Sequence, residues 1–301
     1  MPRCVTVGLD GSPESRAAAE WAAREARLLG LPVKLVHVWE PVSEPVALAQ
    51  LLGAEEHRRW SEKMSHEALE GLRLRHPGVE VTTEELSGDP ADMLTEAAED
   101  AELLVLGSRA LGGVGGFLVG SVGLAVVARA ETPVVLVRAL EQAADEHERD
   151  PVGIPSAATA FRSVVLGLDT SHPDEVLIRF AFAAARRRGT SLRVVHGWYP
   201  PAYFAYGMPV DAELHGSLAV CQAADLTDVL RPWRQEYPDV SVVEQSRSGS
   251  AAVMLVEASR EASLVVVGRR VRESPLCPHI GHVTHAVVHH ATAPVAVVPH
   301  G

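Results

Sequence analysis

One stretch of this chain, residues 107–121 reading GSRALGGVGGFLVGS, combines residue types and spacing suited to holding an anion. It follows the apolar run Leu103, Leu104, Val105, Leu106, which reads as a buried strand, and leads into a helical pattern over residues 122–130. Glycine lets backbone N–H groups approach an anion without a crowding side chain, and a helix N-terminus adds partial positive charge. The Ser121 hydroxyl adds a further donor. The ligand that suits such a loop is a phosphate chain. A plain surface loop would also favour glycine, but a strand before and a helix after are the context of a phosphate cradle. Lys34 and Lys63 are the only lysines, so nothing supplies a P-loop lysine after the glycines.

Other residues offer competing chemistry. Asp10, in VGLDGS over residues 7–12, ends a strand pattern and could accept hydrogen bonds from a ribose hydroxyl. Capping of the following turn or helix is the alternative. Cys277, His279, His282, His285 and His289 crowd one segment. On a helix His282, His285 and His289 share a face, but no carboxylate completes a metal set, and surface helix histidines with no metal are expected. His37 and His196 are flanked by apolar residues and are expected to be satisfied structural histidines. Glu84 and Glu85 read as a solvated strand end. Phosphoryl transfer would need acids holding magnesium and a positioned base. Asp10 alone stands near the inferred phosphates, so a binding protein is expected and not an enzyme.

The elements that must position these residues are written twice. VTVGLDGS over residues 5–12 returns as VVLGLDTS over 164–171, and VHVWEP over 36–41 as VHGWYP over 195–200. LVLGSR over 104–109 aligns with VVVGRR over 265–270 at Gly107 and Gly268, and TPVVLV over 132–137 returns as APVAVV over 293–298. This is a tandem duplication of a unit of about 140 residues, an ordinary domain size. In the first copy, strand patterns at 4–9, 33–39, 79–86, 103–106 and 134–138 alternate with helix patterns at 17–29, 55–75, 91–100 and 122–130. Ser12 followed by Pro13 and Glu14 opens the first helix, and Gly30 closes it. Strands separated by helices imply right-handed crossovers, hence two tandem α/β domains, each a doubly wound, Rossmann-like, five-stranded parallel sheet. The first is expected over 1–139 and the second over 161–301, joined by an Ala/Glu/Asp-rich linker, 140–160.

Composition narrows the classes. At 301 residues and 47% hydrophobic, the chain can bury two cores. A net charge of −12 without a basic run argues against nucleic-acid binding. No apolar stretch is long enough for a membrane span, and residues 3–7 go straight into a strand pattern without a signal peptide. The three scattered cysteines, Cys4, Cys221 and Cys277, fit reduced thiols in a cytoplasmic protein. Ligands in such sheets bind at the carboxyl ends of the strands where the winding reverses, which brings the turn at Gly8 and Asp10 towards residues 107–121.

With VGLDGS, VHV and a loop ending in Gly120-Ser121, the chain resembles the universal stress protein family in its tandem two-domain form. The resemblance covers nearly all of both halves. Nucleotide-binding members carry Gly, two residues, Gly, nine residues, Gly, then Ser or Thr. Gly107, Gly120 and Ser121 hold the outer positions here, while Ala110 takes the inner one, with Gly112 and Gly113 following. The resemblance implies ATP, with or without magnesium, bound in the first half. Asp10, beside Gly8, would contact the ribose and the backbone near Val38 the adenine. The stretch from Gly107 through Ser108, Arg109, Gly112 and Gly113, with Gly120, Ser121 and Val122, would hold the phosphates. The second-half counterparts are Asp169, Gly268, Gly281 and His282, but Val271 replaces the inner glycine, His282 the Ser/Thr, and two prolines interrupt the loop. That site is expected to be weakened or empty, with compensation by Arg269, Arg270 and Arg272 the lesser alternative. The family also implies a nucleotide-responsive stress regulator, an intrachain pseudo-twofold pairing of the halves through their last strands, and a further homodimer or regulatory partner left open. A nucleotide-free scaffold of the same fold and a slow ATP hydrolase are the alternatives.

Overall fold

The structure, a computed structural model, describes residues 3–40, 47–110, 117–118, 120–139, 141–154, 156–200, 212–271 and 280–301. The chain forms two compact units, one ending at Gln142 and one beginning at Ala143.

In the first unit, β1 (Cys4–Gly8), β2 (Val33–Trp39), β3 (Val81–Ser87), β4 (Ala101–Ala110) and β6 (Val134–Arg138) form a parallel sheet in the order β3-β2-β1-β4-β6. A two-residue strand, β5 (Phe117–Leu118), pairs antiparallel with the end of β4. Helices α1 (Pro13–Leu29), α2 (Ala47–Arg75), α3 (Pro90–Glu99) and α4 (Ser121–Arg129) make the crossovers. The inner strands β1 and β4 and the last strand β6 are largely apolar because helices cover both faces, and Val5, Val7, Leu104, Val105 and Val135 are fully buried, whereas β3 at the sheet's end, VTTEELS, is mostly exposed.

Local signals set the helix ends. Ser12 accepts from the Ser15 N–H, Pro13 occupies the first turn, and Gly30 at φ 68° closes α1. Asp89 caps α3 by accepting from Ala91 and Asp92 N–H at 2.9 and 3.0 Å. Each cap is worth about 1 kcal/mol. Helix α2 begins at Ala47, earlier than the apolar pattern from residue 55.

The second unit repeats the plan with β7 (Ser163–Gly167), β8 (Leu192–Trp198), β9 (Val242–Ser248), β10 (Ala262–Arg270) and β11 (Val295–His300) in the order β9-β8-β7-β10-β11. Its helices are α5 (Glu175–Arg188), α6 (Ala212–Glu236), α7 (Ala251–Ala258) and α8 (His282–His290). Ahead of β7, a 3-10 turn at Ala143–Glu146 and an antiparallel bridge between His147 and Phe161 give residues 143–161 some local structure. In both units the winding reverses between the first and fourth long strands: β1 and β4, then β7 and β10.

Candidate functional site

At the first reversal point the chain builds a cleft of about 270 Å³. β1 delivers Gly8, then Leu9, whose N–H donates to Val36 O at 2.8 Å and whose carbonyl accepts from His37 Nδ1 at 2.7 Å. Asp10 follows, and its Oδ1 accepts from the Ser12 N–H at 3.0 Å and the Ser12 hydroxyl at 2.5 Å. The Ser12 hydroxyl in turn caps α1 through Ser15 N–H at 3.1 Å. Asp10 therefore serves the turn, and the same bonds fix its carboxylate at the cleft.

Two glycines here have packing reasons. A Cβ at Gly107 would fall 2.5 Å from the Glu14 carbonyl carbon, because the first turn of α1 lies directly against the end of β4. One at Gly8 would fall 2.6 Å from Leu106 Cδ2. Gly120 differs. It precedes α4 with φ −58° and ψ 158°, which any residue adopts, and among the described residues a Cβ there meets nothing within 4 Å. No described side chain caps α4, which leaves its first N–H groups without an intrahelical or side-chain partner among those residues.

Of the first-half candidates, Gly8, Asp10, Val38, Gly107, Gly120 and Val122 line one cleft. Ser108 does not. Alternation along β4 turns it to the opposite face, where it is buried and donates to Val137 O at 3.2 Å. Ser121 is exposed at the helix start and stands outside the lining. Arg109 and Ala110 belong to β4, their backbones paired with Leu118 and Phe117. Ala110 is thus in extended backbone, where alanine carries no conformational penalty. Gly112 and Gly113 lie outside the described residues. Sequence reasoning did not single out Glu14, Ser15, Leu94 and Gly123 for the site, and they also line the cleft. Among the described residues, the charged groups there are the acids Asp10 and Glu14.

The second reversal point holds a larger cleft, about 700 Å³. Asp169, Gly268, Gly281 and His282 all line it, joined by His172, Tyr199, Arg270 and His300. Asp169 repeats the turn, accepting from Ser171 N–H at 3.0 Å and the Ser171 hydroxyl at 2.5 Å, with His172 Nδ1 3.6 Å away. Partial burial pushes the Asp169 carboxyl upward, but the Ser171 bonds and His172 outweigh it and hold it below the ordinary aspartate value. Gly281 repeats Gly120, with φ −55°, no side-chain cap and open space at its Cβ. Gly268 packs against His300, whose Nε2 would lie 2.6 Å from an added Cβ. No local motif marks His172, Tyr199 or His300, which come from the ends of different elements.

The two second-strand histidines part company. His196 donates from Nδ1 to Leu168 O at 3.0 Å, and its Nε2 meets Gln222 Oε1 at 2.9 Å and Thr170 Oγ1 at 3.3 Å. His37 keeps the Nδ1 bond, but its buried Nε2 has no hydrogen-bond partner among the described residues, against the expectation of a satisfied histidine. Gly11 and Ser61 stand where Thr170 and Gln222 would reach, and Ser61 donates instead to Glu85 at 3.2 Å.

On α8 the His285 and His289 rings lie 4.4 Å apart. Desolvation, then the neighbouring His289 and His290, lowers the His285 pKa. Among the described residues no three His, Cys, Asp or Glu side chains gather as a metal set, and Cys277 and His279 lie outside those residues. No described helix is long and apolar enough to cross a membrane.

Comparison with known proteins bears on both halves. The model described as the universal stress protein family matches residues 1–138 and again 160–299. A universal stress protein of Mycolicibacterium smegmatis is 33% identical over 299 residues, covering 98% of this chain and 96% of that one. One from Mycobacterium tuberculosis strain H37Rv is 34% identical over 307 residues, covering 97% and 96%. Among solved structures, a universal stress protein from Archaeoglobus fulgidus DSM 4304 superposes with TM-score 0.67 at 15% identity over 99% of this chain and 98% of that one.

Proposed function

The chain belongs to the universal stress protein family in its tandem form, and from that premise we propose that its first half binds ATP as the magnesium complex and acts as a nucleotide-responsive regulator. The observation that carries this reading is Gly120. Its backbone angles are open to any residue, no described residue packs within 4 Å of its Cβ position, and it borders the cleft at the start of α4, a helix that no described side chain caps. Such a helix end favours phosphate oxygens. Gly107, by contrast, is explained by α1 alone and carries no argument for a ligand.

The charges of the cleft support magnesium. Asp10 and Glu14 bring negative charge to the cleft, Glu14 beside Gly107 at the start of α1. Hard carboxylate oxygens suit magnesium, which is commonly held by one or two carboxylates together with substrate phosphates. The ion would offset the repulsion between nucleotide and protein. Asp10, held by Ser12, is the residue for the ribose, and Val38 borders the space for the base. We assign the site binding and no catalytic step, with ligand-dependent contacts as its output.

Calorimetric titration of the full chain with ATP and magnesium at pH 8 tests the reading. One site is expected, weakened at least tenfold by Gly120→Val and unaffected by Gly281→Val, with both variants folded and each losing a similar amount, about 1 kcal/mol, because valine replaces glycine at a helix N-cap. No binding in the parent would remove the proposal and favour a scaffold acting through its surfaces, and binding that survives Gly120→Val would remove the first cleft as its place.

A further inference from the structure

The second cleft is lined in a way the first is not. His172, Arg270, His282 and His300 border it, with Asp169 among them and Tyr199, 69% exposed, also in the lining. The carboxylates nearby are engaged. Asp169 holds Ser171 and faces His172. Asp174 caps α5 through Val176 and Leu177 N–H at 2.9 and 3.2 Å and stands 3.7 Å from His300 Nδ1. Glu14, the acid of the first cleft, has Pro173 as its counterpart, and His172 takes the place of Pro13. The volume, about 700 Å³, is that of a small-molecule site.

We propose that the second cleft is a proton-gated anion site, which takes the diphosphate group of a small molecule in mild acid, without metal, through His282, His172, His300 and the start of α8. This rests on the reading of the reversal-point cleft as a phosphate site, and adds how the second copy is regulated. Histidine is the side chain that ordinarily changes charge between pH 5 and 8. His282 is the first residue of α8, so a proton on its ring and the uncapped N–H groups of the helix converge on the same anion. Each favours the other through it. His172 and His300 add charge from elsewhere in the lining, and Arg270 supplies a constant one. Among the described residues, the titratable and charged groups that share the cleft with His282 are Asp169, His172, Arg270, His300 and Tyr199, with Asp174 beside His300; His285 and His289 follow on its own helix. Protons do here what magnesium does in the first half.

The test uses full-length Gly120→Val protein in EDTA, titrated calorimetrically with ADP and with inorganic pyrophosphate at pH 6.0 and pH 8.0. Buffers of different ionisation enthalpy report the protons taken up. Binding about tenfold tighter at the lower pH is expected, the effect of one coupled proton. His282→Ser, which restores the hydroxyl found at Ser121, should cut both the pH dependence and the proton uptake. Because the ligand's own protons are common to both proteins, the difference between them belongs to the imidazole. His172→Ala should reduce the uptake further and guards against a folding defect in the first variant. ADP binding tighter than pyrophosphate identifies a nucleotide, and equal binding an inorganic or other diphosphate. No binding at pH 6.0, equal affinity at both pH values, or unchanged proton uptake in His282→Ser would overturn the proposal. The first-half reading is judged separately, by magnesium–ATP binding to the parent at pH 8.

Discussion

The two clefts occupy the same place in the same fold, and they differ because one helix begins a few residues later. In the first copy, Ser12 caps α1, Pro13 opens it, and the backbone of Glu14 presses against Gly107. In the second, Ser171 is tied to Asp169, Asp174 becomes the cap, and α5 starts at Glu175. Most of a turn of helix is thereby removed from the wall of the second cleft, and His300 packs against Gly268 instead. The volumes follow, about 270 against about 700 Å³. The charges follow too: removing that turn removes Glu14 and brings in His172. A shift in capping thus goes with a change in both the size and the charge of the cleft while the strand order of the sheet stays the same.

The largest effect expected from this difference is steric. Gly107→Ala must displace backbone of α1, and overpacking of that kind costs about 3 kcal/mol. Gly268→Ala meets the end of the His300 side chain, which can turn away, and should cost about 1 kcal/mol or less. Denaturant unfolding of the two variants gives both numbers. Equal losses would mean that the α1 turn does not define the first cleft.

Next in size is the response to chelation. Removing magnesium should weaken ATP at the first site by tenfold or more, about 1.4 kcal/mol, because Asp10 and Glu14 then face the phosphates directly. Glu14→Gln should recover part of that loss in EDTA. If chelation leaves affinity unchanged, the acids do not face the phosphates and the charge contrast between the clefts has no functional weight.

How much of this could be read in advance follows the range of the interactions. Ser12, Pro13, Gly30 and Asp89 act within a few residues of themselves, so the helix ends they set were legible. The repeat of VGLDGS and its companions was sufficient for the doubly wound sheets and for bringing Asp10 towards Gly120. The extension of β4 to Ala110 depends on pairing with β5 after the glycines, and nothing in the local pattern announces it. The side chain of Ser108 stands outside the cleft, as alternation from Gly107 already indicates. In the second half the loss of glycines drew attention to a weakened loop. The more telling change was upstream, SPE at residues 12–14 becoming SHP at 171–173. His300 reaches its cleft only through the register of β10 with β11, which no motif encodes.

The smallest expected effect concerns an ion pair that the two copies write in opposite senses. On the first unit's outer face Glu20 of α1 pairs with Arg75 at 2.5 Å and accepts from His76 Nε2 at 2.9 Å. At the matching positions of the second unit Arg179 of α5 pairs with Glu236 at 3.0 Å. There Phe182 packs with Trp233 and Tyr237 at 6.2 and 5.3 Å, whereas the first unit has Ala23, Leu72 and His76 at those positions, and Leu72 lines a groove of about 270 Å³ between α1 and α2. Partial burial raises the Glu20 carboxyl, but Arg75 and His76 outweigh it and hold it below its reference value of 4.5. A lowered folded-state pKa stabilises the fold above the unfolded value and loses that contribution as pH falls through the folded one. Glu20→Gln should therefore destabilise at pH 7 and become neutral in strong acid. Since Arg75 is largely exposed, the coupling should be only about 0.5 kcal/mol. Reversing the pair, Glu20→Arg with Arg75→Glu, should restore that coupling relative to either single change. It should not restore the full stability, because His76 then loses its carboxylate, a partner Tyr237 does not need. Strict additivity of the two single changes would mean the pair contributes nothing, and that the copies preserve its position for packing alone.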